Sequence, residues 1–264
     1  MSDQDLQKLA ELRAKIDMAD QSIHALLMQR AEVIDELIKA KGASSTKGAA
    51  FRPGREAQMI DVLKARHSGS IPFSMITHLW REIISTFTWL QAPFSVHLPK
   101  TADTRLQDTV RYQFGFTVSV FTHDDVTDAM NGAIAAENAI LVVETPSPSS
   151  AAWWTGLNAQ NNLSVMARLP VVPVPFEAVD ALALAPTLSD PVPFDWRVYV
   201  ATAASEKAFD NWTSGQVLAT QSKPDGKVAA LIAIGPGGKA PADLLDIRAA
   251  GGYFAPLEDR ETSI

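Results

Sequence analysis

Cysteine is absent from the 264 residues. That removes disulfides, zinc–thiolate and iron–sulfur sites and thiol nucleophiles, and it fits a reducing compartment. No run approaches the ~18–20 uninterrupted apolar residues of a membrane span. The charged, amphipathic start MSDQDLQKLAELRAKID lacks the basic-then-apolar order of a secretory signal. Positive charge is not in excess either: 23 Lys and Arg stand against 30 Asp and Glu, a net charge of -7. This argues against a sequence-independent nucleic-acid binder. With 47% hydrophobic and 20% charged residues, the chain is too apolar for global disorder. A soluble, cytoplasmic protein is expected, with one large or two modest domains at ~100–200 residues each.

The composition shifts near Pro93–Pro99. Residues 1–99 hold 12 basic and 11 acidic side chains, whereas 100–264 hold 11 basic and 19 acidic ones. Four prolines precede the shift and 12 follow it. Helix breakers are therefore scarce in the first part and frequent in the second. The expected organisation is a helical domain over 1–98, a linker at 99–104 and an α/β or α+β domain over 105–264.

Three helices are predicted in the first part. Residues 3–41 contain neither Gly nor Pro, and Leu9, Ile16, Ile23 and Leu37 follow a seven-residue repeat, as do Leu12, Ala19, Leu26, Val33 and Ala40. Such a seam must be buried against other helices. At ~1.5 Å per residue this helix is ~58 Å long, more than one small domain covers. A second helix opens near Pro53, since proline suits a first helical turn, and runs to about Arg66. A third follows Pro72, with Met75, Ile76, Leu79, Trp80, Ile83, Ile84, Phe87 and Leu90 on its apolar face, and stops at Pro93. In the second part, 114–121, 139–144, 164–169, 197–202, 216–221 and 228–234 read as strands, and 124–137 and 205–212 as helices. The Pro-rich connection 170–196 carries no assignable pattern.

Arg30 interrupts the apolar series at a position reserved for burial. Either its stem packs while the guanidinium snorkels out, or it faces inward to receive an anion, since an unpaired buried charge is costly. Lys41 lies eleven residues further, about 20° from a whole number of turns and ~16 Å along the axis. The two cations point the same way and suit opposite ends of a small polyanion; a basic residue at a helix C-terminus is also ordinary. Arg13 projects ~100° away and ~25 Å along the helix from Arg30. It joins the same ligand only if contributed by a second, antiparallel chain, and is otherwise a solvated arginine. FRPGREAQ places Arg52, Arg55 and Glu56 at the start of the second helix, where a carboxylate also complements the dipole. Gln91 extends the face of Trp80, Ile84 and Phe87, as an inward donor or a fraying end.

The blocks LAELRAKIDMADQSIHALLMQRAEVIDELIKAK, FRPGREAQMIDVL and LWREIISTFTWLQAPF, in that order, resemble the all-helical chorismate mutases over about residues 5–95. The whole chain resembles a longer alphaproteobacterial form with an appended C-terminal region. The resemblance implies an intertwined helical homodimer with active sites shared across the interface. It implies that Arg13 of one chain and Arg30 of the other bind the carboxylates of chorismate. Lys41 and Gln91 would contact the ether oxygen, Glu56 the ring hydroxyl, and Arg55 would support the site. Two positions depart from the family: an aspartate is Arg52 here, and a serine is Phe87.

The implied reaction, chorismate to prephenate, breaks one C–O bond as one C–C bond forms. It needs neither nucleophile nor proton shuttle, so no cofactor and no metal are expected. The flexible substrate must be held compact, charge developing on the ether oxygen favours a fixed cation, and two carboxylates favour arginine forks. The alternatives are an isochorismate pyruvate-lyase on the same scaffold, which Arg52 and Phe87 leave open, and a non-enzymatic helical dimerisation module with a small-molecule-binding C-terminal domain. GPGGKA at 235–240 lacks the full phosphate-loop spacing. Residues 105–264 resemble a degenerate prephenate dehydratase domain through FGFTVSVF, AILVVETP and the Trp153–Trp154 pair. They lack the Thr-Arg-Phe signature, so dehydratase activity is not expected.

Overall fold

A computed structural model of the chain describes residues 2–41, 52–100, 104–136, 138–147, 152–159, 161–186 and 193–257. Two compact units emerge, Met1–Lys47 and Gly48–Ile264. The first is built on one uninterrupted helix, α1 (Asp3–Lys41), with Asp3 and Asp5 in its first turn. Ser2 and Asp5 cap it reciprocally: the Asp5 amide donates to Ser2 Oγ at 3.2 Å, and the Ser2 amide donates to Asp5 Oδ2 at 2.9 Å. The predicted apolar seam lies open to solvent, Ile16 being 59% and Leu26 63% exposed.

The second unit opens with α2 (Pro53–Arg66) and α3 (Phe73–Gln91) and continues into a nine-stranded sheet. The strands are β1 (Ser95–Pro99), β2 (Ser119–His123), β3 (Ala139–Glu144), β4 (Leu163–Leu169), β5 (Ala181–Pro186), β6 (Trp196–Ala203), β7 (Gly215–Ser222), β8 (Val228–Ile234) and β9 (Leu244–Tyr253). Their order is β2-β1-β3-β5-β4-β9-β6-β8-β7. β1 runs parallel to both β2 and β3, and the crossovers are α4 (Arg105–Phe114) and α5 (Val126–Ala135). The period of two explains the layering. Along β3, Ile140 and Val142 pack with Leu106, Val110 and Phe114 of α4, whereas Ala139, Leu141 and Val143 pack with Ala129 and Ala133 of α5. The architecture is thus a helical N-terminal region followed by a mixed α/β sheet.

The remaining strands pair antiparallel, save one junction. β4 meets β9 in parallel through the single pair Val165–Gly251, which joins the half-sheet β2-β1-β3-β5-β4 to β9-β6-β8-β7. β8 is buried throughout, as a strand covered on both faces must be.

Several elements differ from the sequence expectations. Residues 95–99, expected to close the helical domain and begin a linker, form β1. The strand expected over 114–121 begins at Ser119, because α4 runs to Phe114 and Gly115, at φ +72°, ends it. Of the helix expected over 205–212, only the 3-10 turn Glu206–Ala208 forms. β5 lies inside the unassigned connection 170–196, and β9 was hidden by its polar DIR and paired glycines.

α2 and α3 share a core with α4 and the sheet region. Ile60 and Leu63 are buried with Val172 and Leu257. Ser85 Oγ donates to the Gln113 carbonyl at 3.1 Å, and Tyr112 donates to the Ser74 carbonyl at 3.3 Å. Compactness therefore divides the chain at Lys47/Gly48, well before residue 98.

Candidate active site

The unbroken α1 carries Arg13, Arg30 and Lys41 on one continuous helical frame. Arg13 is exposed and Arg30 half-buried. Lys41 is the last helical residue, and its side chain lies outside the described set.

In the second unit, Arg52 is the N-cap of α2 and makes no side-chain capping bond. Its carbonyl accepts from the Glu56 amide at 3.0 Å. Arg52 and Arg55 are exposed. Glu56 turns inward from the first helical turn, because Pro53 and Gly54 beside it are buried. There it meets Arg81 of α3: Nη2 donates to Glu56 Oε2 at 2.8 Å, with the side chains 2% and 12% exposed respectively.

Arg81 is missing from the sequence expectations, although a signal existed. Thr77, Arg81, Ser85 and Thr88 recur at helical spacing, and all four are buried. α3 therefore turns a polar stripe inward beside Ile84 and Phe87, while Met75, Leu79 and Leu90 of the predicted apolar face are exposed. Phe87 is buried. Gln91 Nε2 donates to the Phe87 carbonyl of its own helix at 3.0 Å. Ten residues, or ~15 Å of axis, separate Gln91 from Arg81, so the structure joins Glu56 with Arg81 and does not join either with Gln91.

A cavity adjoins the ion pair, lined by Glu56, Arg81, Gln113, Met166, Val172 and Leu257 among others. Its water-accessible interior is about 30 Å³. That admits about one or two waters. Among the described residues, no cluster of three or more His, Cys, Asp or Glu side chains is arranged to hold a metal ion.

A second titratable group lies under α5. His97 Nδ1 is 2.9 Å from His123 Nε2, and Ser95 Oγ is 3.0 Å from His97 Nε2. Gly132 packs so closely on both rings that a Cβ there would collide with them. Burial first, and the neighbouring His123 second, hold the His97 pKa below its ordinary 6.5. The unfolded chain therefore binds more protons than the folded one as pH falls. The stabilisation is complete above about pH 6.5 and is lost on acidification through the folded pKa. The melting temperature is expected to fall from about pH 6.5 towards 5, and His97→Gln to flatten that slope. An equal slope in the variant would exclude His97 as its source.

Residues 12–92 match the family model of chorismate mutase type II. A bifunctional chorismate mutase/prephenate dehydratase of Pseudomonas aeruginosa is 29% identical over 121 residues, 45% of this chain and 33% of that protein. Its counterpart in Stutzerimonas stutzeri is 31% identical over 114 residues, 42% of this chain and 31% of that protein. The chain thus spans about a third of the length of the curated relatives it matches. No solved structure matches it. The matched span contains α2, α3 and most of α1, with Arg13, Arg30, Lys41, Glu56, Arg81 and Gln91 among its residues, so the similarity to chorismate mutase type II is confined to the helical part of the chain.

Proposed function

We propose that the protein is a chorismate mutase, an isomerase that converts chorismate to prephenate in aromatic amino-acid biosynthesis. One observation carries the reading: the family match runs unbroken across the three helices that bear every candidate side chain. Arg30, with Arg13 of a second chain, grips the two carboxylates and folds the substrate into a reactive chair. Restraint of this kind is the main requirement of a unimolecular rearrangement. Lys41 and Gln91 stabilise the charge that develops on the ether oxygen. Glu56 accepts from the ring hydroxyl, and Arg55 supports the site. Arg52 and Phe87, where the family has an aspartate and a serine, replace one carboxylate and one hydroxyl donor and tune the grip on the substrate. Residues 1–98 supply this chemistry. Residues 105–264, which lack the dehydratase signature, contribute packing and not a second reaction.

A second copy of the chain is needed. α1 leaves Leu9, Ile16, Ile23, Leu26 and Val33 of its apolar repeat exposed, and a run of this kind marks an interaction surface. A homodimer burying that stripe also brings Arg13 to its partner's site. Among the described residues no helix is long and apolar enough to cross a membrane, and a cytoplasmic location suits the substrate.

The test is product analysis after incubating the full chain with chorismate, and separately with isochorismate. Prephenate from chorismate is expected. Pyruvate and salicylate from isochorismate, without prephenate from chorismate, would replace this reading by the lyase. Leu26→Arg, which puts a charge in the stripe, is expected to halve the mass measured by light scattering and to abolish turnover. A dimer that survives this substitution with full activity would count against the shared site.

A further inference from the structure

We infer that Arg81 is the positioning residue for Glu56: the buried guanidinium orients the carboxylate so that one oxygen remains to receive the substrate's ring hydroxyl. The inference rests on the mutase reading and deepens it.

Arg81 is 2% exposed and sits in the middle of α3. A charge at that depth persists only with a partner, and buried ion pairs are poor stabilisers beside apolar residues of equal size. The presence of the pair therefore points to orientation more than to stability. The geometry agrees. The contact at 2.8 Å engages Glu56 Oε2, and a planar guanidinium restricts the carboxylate's rotation more than an ammonium does. Under this inference Oε1 is the oxygen that accepts from the ring hydroxyl.

The depth of the pair is supplied from beyond the helices. Gln113, Met166, Val172 and Leu257 line the cavity beside Arg81, and Val172 and Leu257 also pack on Ile60 and Leu63 of α2. Residues beyond 98 thus help to exclude solvent from the Arg81–Glu56 pair. This gives residues beyond 98 a part in the reaction without a reaction of their own.

The experiment uses the full chain with R81M and R81K, each in the native and E56Q backgrounds. The substrates are chorismate and the analogue lacking its ring hydroxyl. R81M is expected to lower kcat/KM for chorismate by roughly 10–100-fold, the scale of a misplaced contact, and R81K by roughly 3–10-fold. On the deoxy analogue, and in the E56Q background, either change is expected to cost less than about 3-fold, because a pair acting as a unit is not additive. Equal losses on both substrates, or in both backgrounds, would make Arg81 merely structural and overturn the inference while leaving the mutase reading intact. Absence of prephenate formation by the wild-type chain would overturn the mutase reading, and this inference with it. If R81M does not fold, R81K carries the same comparison.

Discussion

Replacing Lys41 with alanine is expected to lower prephenate formation by roughly 10²–10³-fold, the usual loss when a donor to a developing oxyanion is removed. The rearrangement builds negative charge on the ether oxygen and leaves no proton to shuttle, so a fixed cation opposite that oxygen is where stabilisation is largest. Lys41 ends α1 without a break from Asp3, and its register aligns it with Arg30 to about 20°. In the proposed site Arg30 anchors the substrate while Lys41 meets the breaking bond. Alanine is the best helix former, so α1 should remain intact. The measurement is the rate of chorismate loss with circular dichroism and light scattering on the same sample. An inactive but helical and dimeric variant supports the assignment, and near-wild-type turnover would sink it.

The largest effect on stability is expected at Gly251. It lies at φ +109°, a conformation that side chains rarely adopt. A Cβ there would meet the backbone of Val165, which cannot move aside as a side chain can. Among the described residues, Val165–Gly251 is also the only registered pair between β4 and β9. The strain costs about 1–3 kcal/mol and the forced overlap about 1–3 more. Gly251→Ala is therefore expected to destabilise by roughly 2–6 kcal/mol, read by denaturant unfolding. Gly226 separates the two contributions: its φ is +80° and an added Cβ would meet nothing within 4 Å. Gly226→Ala should show strain alone. Equal losses at both positions would mean that the β4–β9 approach carries no weight. Hydrogen exchange should also show β9-β6-β8-β7 opening apart from β2-β1-β3-β5-β4 in the Gly251 variant.

Much of the helical part was legible because its signals are local. A stretch without Gly or Pro, a seven-residue apolar repeat and Pro53 at a helix start depend only on neighbours in sequence. α1, α2 and α3 accordingly match their predicted spans. Strands with continuous apolar runs, such as β3 and β8, were equally plain. β1 was not, since SVHLP is short and lies among prolines, and β9 was not, since its glycines and DIR segment break the pattern. Both are held by partners distant in the chain: β1 by β2 and β3, and β9 by β6.

The candidate site divides in the same way. The order of three sequence blocks pointed to the proposed class of chemistry through the family resemblance, while the register of an α-helix showed which cations share a direction. Arg81 and the inward polar stripe of α3 were settled only by tertiary structure. Helical spacing says which side chains lie together on a face, but not which face meets the rest of the molecule. That choice belongs to the packing of Ile60 and Leu63 against Val172 and Leu257, and of Ser85 against the Gln113 carbonyl. Such contacts between distant residues leave no periodic trace, and a buried charge becomes recognisable only when its partner, here Glu56, is brought beside it.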